Sequence, residues 1–239
     1  MNNYSRLSAA TCLLLASAGG SVLAADISGN IAFTNDYRFR GIAQSGEQAF
    51  AVQGGFDIET EDGFYAGLWA SSVDFQIQTT DDADTELDLY AGYGGETADG
   101  ISYSVGVLHY AYPSASGALN YDFTEFTASL GYENFSLDYA YTSDYFAASG
   151  AGNYVALGYG VDLDDDMGSL SFSLGFQTVD DNAAWGTPDW TDYKIAYGTS
   201  FNTLDLEVAY VDTDLSASEC FGGSDWCDGT VVVTISKSL

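Results

Sequence analysis

Apolar and polar residues alternate one by one in segment after segment of this chain. From Glu86 to Tyr93, the side chains of Leu87, Leu89, Ala91 and Tyr93 stand opposite Glu86, Asp88 and Gly92. From Phe123 to Tyr132, Phe126, Ala128, Leu130 and Tyr132 stand opposite Glu125, Thr127, Ser129 and Gly131. Successive side chains of a β-strand point to opposite faces, so each segment reads as a strand with one greasy face and one polar face. Twelve such segments can be counted. Three are expected within Asp26–Phe75, and others start at Glu86, Ile101, Phe123, Phe135, Val155, Leu170, Asp192, Asp205 and Val231.

Alternation alone also fits a soluble β-sandwich, such as a secreted lectin. Three further features favour a closed barrel in a membrane. Connections alternate between short, as at Glu133-Asn134 and Asn202-Thr203, and long, as at 110–122, 143–153, 179–191 and 212–229. Outer-membrane barrels have short turns on one side and longer loops on the other. Pro113 and Pro188 both fall in long connections, where no ladder hydrogen bond is lost. Aromatic residues gather at the ends of the apolar faces, at Tyr93, Tyr132, Tyr141, Tyr193 and Tyr210, where interfacial girdles belong. The polar faces are small, rich in Gly, Ser, Ala and Thr, and Lys is nearly absent. No later segment is an apolar run long enough for a membrane helix, whereas a barrel strand needs only about ten alternating residues.

The reading is therefore an all-β chain, a transmembrane up-and-down antiparallel β-barrel of about twelve strands, with ten or fourteen as alternatives. Residues 1–25 are expected to be a cleaved export signal. Arg6 precedes the apolar core that starts at Leu13, and Val22-Leu23-Ala24 fits the small-residue cleavage pattern. Residues 26–239 form a single barrel domain in the outer membrane. Both termini then face the periplasm. The loops carrying Asp81-Asp82-Ala83-Asp84 and Asp180-Asp181 face outward, and Asp164-Asp165-Asp166 falls in a periplasmic turn.

Charge narrows the function classes. Five Lys and Arg stand against 35 Asp and Glu, a formal net charge of -30. Nothing here could neutralise phosphates, which excludes nucleic acid as a partner. Inward parity collects Arg38, Arg40, Asp57, Asp74, Glu86, Asp88, Glu125, Asp138, Lys194, Asp205 and Glu207. Two readings stay open for these eleven. They can brace the barrel as a self-neutralising network, or line a pore whose acids favour cations. Arg38 and Arg40 are expected on one face of the first strand, about 7 Å apart at strand rise. Tyr37 and Phe39 are expected on its lipid-facing side.

Other chemistry is sparse. Cys220 and Cys227 are expected to form a local disulfide, since export leads to an oxidising compartment. They do not suggest a metal centre, because His109 is the sole histidine and lies far away in sequence. A lipid-facing catalytic histidine of the outer-membrane phospholipase type needs a serine two residues on. Tyr110 and Ala111 follow His109 instead, so no enzyme is expected. No calcium-loop pattern, phosphate-cradling loop or dinucleotide fingerprint is present, and no cofactor is expected. The acidic loops read as solvated faces.

One stretch carries a family likeness. Asp36-Tyr37-Arg38-Phe39-Arg40-Gly41-Ile42-Ala43-Gln44-Ser45 resembles the DY-x-FRG-x-SQS signature of the TorF family of proposed porins, the Gcw_chp group of proteobacterial outer-membrane barrels. Val52–Asp57, Gly63–Phe75 and Val233–Leu239 resemble further blocks of that family. Ala43 stands where the signature has Ser, and Leu239 stands where such barrels commonly end in Phe. The resemblance implies a proteobacterial outer-membrane barrel of poorly defined solute; parity, loop asymmetry and the acidic inner face lead to the expectation of a passive, cation-preferring channel for small solutes. The expected partners are outer-membrane lipid, small hydrophilic solutes or cations, and the barrel-assembly machinery through the C-terminal strand. The alternative is a non-conducting barrel that binds ligands or other cells through its acidic loops.

Overall fold

The computed structural model describes residues 25–46, 50–75, 83–113, 115, 120–163 and 167–239. The expected export signal lies outside these residues except for Ala25, as do Asp81, Asp82 and the 164–166 turn. The described residues form fourteen strands: β1 (Ala25–Thr34), β2 (Arg38–Phe39), β3 (Ile42–Ala43), β4 (Ala51–Thr60), β5 (Phe64–Ser72), β6 (Thr85–Glu96), β7 (Ile101–Ala111), β8 (Phe123–Tyr132), β9 (Phe135–Thr142), β10 (Gly152–Asp162), β11 (Ser169–Val179), β12 (Trp190–Phe201), β13 (Leu204–Thr213) and β14 (Thr230–Ser238). A 3₁₀ turn covers Phe146–Ala148, and one helical turn, α1, covers Asn182–Trp185. No helix among the described residues is long and apolar enough to cross a membrane.

Twelve of the strands close an antiparallel barrel in chain order. β1 pairs with β4 on one side and with β14 on the other, with Phe33 opposite Ile235. Asn35 extends that seam past the end of β1. Its side-chain amide donates to the Val231 carbonyl at 3.1 Å, and its side-chain oxygen accepts from the Val233 amide at 2.6 Å. Closure leaves no free sheet edge, which is the condition for strands to cross lipid.

Alternation places apolar side chains outside. Phe56, Leu89, Val105, Phe126, Leu157, Ile195 and Ile235 are exposed. The residues between them face inward. Around the barrel an apolar exterior therefore meets lipid, and the fold is that of an outer-membrane β-barrel. Short turns at Glu133-Asn134 and Asn202-Thr203 close one end, with Glu133 and Asn202 in the left-handed region. The described parts of the long connections gather at the other end, where they bury the main hydrophobic cluster in the barrel mouth.

The first strand is shorter than its alternation implies. β1 stops at Thr34, and the chain turns inward. Residues 36–45 form a hairpin, β2 and β3, inside the barrel. Tyr37, only 7% exposed, and the partly buried Phe39 join the interior aromatic cluster instead of facing lipid. Arg38 and Arg40 accordingly do not lie on a barrel-strand face.

Candidate functional site

The hairpin is built by its own sequence. Arg40 and Gly41 sit at its tip with φ of 50° and 84°, the pair of left-handed residues that a tight two-residue hairpin turn needs. Gly41 is required twice over. A Cβ there would stand 2.5 Å from Thr213 Cγ2 and 2.9 Å from Asp192 Cβ. At the base, Ser45 Oγ accepts from the Tyr37 amide at 3.1 Å and donates to Asp36 Oδ1 at 3.1 Å. The Gln44 amide donates to the Tyr37 carbonyl at 2.7 Å. These contacts use residues of the Asp36–Ser45 signature, so that motif encodes an internal plug.

Arg40 carries the tip to the far wall. Its guanidinium Nη2 donates to both Glu125 carboxylate oxygens at 2.7 and 2.8 Å, and its Nη1 donates to Gln177 Oε1 at 2.6 Å. It lies 4.2 Å from the Tyr154 ring centroid and 4.6 Å from that of Phe39. The side chains of Arg40 and Glu125 are 7% and 2% exposed, so the pair is dry and charge-assisted. Tyr110 donates to Glu125 at 3.2 Å, and the Trp190 indole donates to the Arg40 carbonyl at 2.9 Å. Tyr37 stacks edge-on against Trp69 and donates to Glu86 Oε1 at 3.3 Å. Burial, with Glu86 nearby, pushes the Tyr37 and Tyr112 hydroxyls well above the ordinary tyrosine range, so both remain donors.

Arg38 serves the plug differently. It pairs with Asp36 at 2.7 Å and donates to the carbonyls of Gly41, Trp226 and Asp228. The last two belong to the loop held by the Cys220–Cys227 disulfide, which is present. The Ala43 amide donates to the Trp226 carbonyl at 2.9 Å, so this loop caps the hairpin. Between cap and hairpin, Ile42, Phe75, Tyr121, Phe146, Trp185, Phe221 and Trp226 surround a void of about 20 Å³, room for one water.

Below the plug the interior changes character. Tyr65 lies over Gly92 and Gly106, and Tyr90 lies over Gly67, so these rings lie against the wall rather than across the lumen. Asp57 accepts from Tyr90, Asp138 from Ser129 at 2.6 Å, and Asp205 from Ser200 at 2.5 Å. Lys194 pairs with Glu207 at 2.6 Å, with side chains 24% and 23% exposed. The remaining inward positions here, such as Ser102, Ser104, Gly131, Ser136, Ser171 and Ser173, are small.

Of the eleven expected inward charges, five therefore stand on the wall below the plug: Asp57, Asp138, Asp205, Glu207 and Lys194, whose amine reaches down to Glu207 from beside Val211. Glu86, Asp88 and Glu125 face the plug, and Arg38 and Arg40 belong to the plug itself. Asp74 lies beyond the end of β5, in the loop, where its amide donates to the Gln44 carbonyl at 2.8 Å. Asp192 is a further inward acid outside these eleven. It is 6% exposed and accepts from Tyr154 at 3.2 Å. Its parity with Lys194 was the available signal. His109 stands on the outer face with Nδ1 2.9 Å from Thr124 Oγ1.

Residues 18–239 match the model of a family described as "Bacterial protein of unknown function (Gcw_chp)". The chain belongs to the Gcw_chp family. No curated protein matches it. Among solved structures it is similar to the NanC porin, with a TM-score of 0.51 at 9% identity over 88% of this chain and 98% of that one. It is also similar to the KdgM porin (0.49, 9%, 89% and 96%) and to LpxR from Salmonella typhimurium (0.46, 8%, 89% and 99%). At such identities the NanC likeness speaks for the fold alone.

Proposed function

We propose that this Gcw_chp protein is an outer-membrane channel for small hydrophilic solutes, cation-preferring, and closed in the described state by the Asp36–Ser45 hairpin. The observation that carries this reading is the contrast within one barrel. Eight-stranded barrels are just filled by side chains, and barrels of sixteen or more strands hold water. This one has twelve, with small side chains and wall-hugging tyrosines in one half. Its other half is stopped by a hairpin of two-residue strands, anchored at its tip by one ion pair. The wall acids in the open half outnumber Lys194, which supports selection of cations. We further propose that residues 1–25 direct export, and that β14 presents the chain to the barrel-assembly machinery.

A second reading has its own support. The void beneath the cap holds about one water, so a barrel that never conducts and works through its loops is consistent with the sealed mouth. Planar-bilayer recording separates the two. The wild type is compared with a variant in which 36–45 is replaced by a short Gly-Ser linker, with heat-modifiable gel mobility confirming the barrel. A folded linker variant that conducts and prefers K⁺ to Cl⁻ supports the channel. A folded variant that passes no current rejects it.

A further inference from the structure

The plug leaves a charge imbalance behind it. β6 points Glu86 and Asp88 inward two residues apart, and they are 1% and 8% exposed. Tyr37 serves Glu86 Oε1, but Glu86 Oε2 and Asp88 Oδ1 have no hydrogen-bond partner. The bases of the barrel interior are committed elsewhere: Arg40 to Glu125 and Gln177, Arg38 to Asp36 and three carbonyls, and Lys194 to Glu207. Two adjacent buried carboxylates with no base between them are costly unless a shared proton or a bound cation neutralises them.

We propose that Glu86 and Asp88 form a binding site for a calcium-like divalent cation beneath the plug. The donors are hard oxygens, and one divalent ion cancels the charge of the pair. Calcium accepts irregular oxygen sets completed by water, whereas magnesium demands a near-ideal octahedron. Among the described residues no group of three or more His, Cys, Asp or Glu is placed to hold a metal, so the site has two carboxylates, with the Tyr37 hydroxyl at its rim. Few charged ligands imply weak affinity, in the range of about 10⁻⁴ to 10⁻³ M. The ion reaches the site from the open half, past Asp57 and Tyr90, the next inward residue of β6 after Asp88. It needs no conduction through the plug, so this site stands whether or not the barrel passes current. Bound there, the ion ties the β6 wall to Tyr37 of the hairpin.

The test uses the folded full-length barrel in detergent, stripped with EGTA and titrated with CaCl₂ by calorimetry and with Tb³⁺ by luminescence. Trp69 pairs directly with Asp88 across β5 and β6, and its ring is 5.6 Å from Tyr37, so it should sensitise Tb³⁺. One saturable site is expected. It should weaken at least about tenfold in Glu86→Gln/Asp88→Asn, as expected for loss of the charged ligands, and be unchanged in the exposed-loop control Asp225→Asn. Binding that survives the double substitution would place the ion on the loops and overturn the proposal. So would wild-type protein that responds to pH but not to Ca²⁺, because the carboxyls would then be sharing a proton. If the double variant does not fold, Trp69→Phe decides. Reduced Tb³⁺ luminescence with unchanged Ca²⁺ affinity supports the site, and unchanged luminescence rejects it.

Discussion

The two halves of this barrel share strands, parity and register, yet their interiors differ. Toward the long loops, Glu86, Glu125 and Gln177 are almost fully buried, and Phe39, Tyr110, Phe123, Tyr145 and Phe146 pack around them. Toward the short turns, Asp57, Asp138 and Glu207 are only partly covered and bond to hydroxyls or to Lys194. The strands do not make this difference. It comes from chain that leaves the wall: the 36–45 hairpin, the Phe146–Ala148 turn and the disulfide loop. A wall of alternating residues sets a lumen, and the loops decide how much of it remains.

Cutting the hairpin's anchor should break the contrast most. Arg40→Ala leaves Glu125 buried without its partner, a loss of about 3–5 kcal/mol for a buried pair. Denaturant titration of the folded barrel should show a lower midpoint, and bilayer recording should show open events absent from the wild type. Arg40→Met/Glu125→Leu removes both charges and should recover most of the stability. If Arg40→Ala is as stable as the wild type, the pair does not hold the plug.

The cap comes next. The Cys220–Cys227 bridge closes a loop with a sequence separation of 7. Chain-entropy arguments give such a short loop about 2.5 kcal/mol. Cys220→Ser/Cys227→Ser should lower the midpoint accordingly and expose Trp226, seen as a red shift in fluorescence. The barrel strands should persist by far-UV circular dichroism.

How far this contrast can be read from sequence depends on which solvent set the pattern. Lipid and lumen impose a period of two, so the barrel, its closure and the outward residues are legible. The plug is not, because Tyr37 and Phe39 continue the parity of Ile31 and Phe33 while facing the interior. Parity reports a face and not the element that carries it. Length was the usable signal: alternation from Asp26 to Arg40 exceeds the 9–11 residues that a tilted strand needs to cross a bilayer, and Arg40-Gly41 has the Gly expected of a tight turn. Asp74 misled for a related reason, since parity was extended past the end of β5. The carboxylate pair was visible as inward charge, but its lack of a base depends on where Arg38 and Arg40 go. That is tertiary information.

Gly41→Ala should perturb the plug more gently. A left-handed alanine costs about 1–2 kcal/mol, and its Cβ would press on Thr213 and Asp192, which must give way. The expected result is a small fall in stability with brief openings rather than a steady current. A steady current would mean that the turn, and not the Arg40–Glu125 pair, keeps the hairpin seated.

The smallest effect on stability should come from the open half, and there selectivity is the informative readout. Asp57→Asn and Asp138→Asn keep side-chain size and can still accept from Tyr90 and Ser129. At partly hydrated sites such changes should stay within about 0.5 kcal/mol. In the hairpin-replaced barrel, each removes one negative charge from a wall where Lys194 is already neutralised by Glu207. The ratio of K⁺ to Cl⁻ permeability should therefore fall stepwise from single to double variant, and more at low salt, where screening is weak. Glu207→Gln should lower it further, because it also frees the Lys194 charge. If all three variants kept the same permeability ratio, the wall acids would not set selectivity, and the lumen would contrast with the plug in size alone.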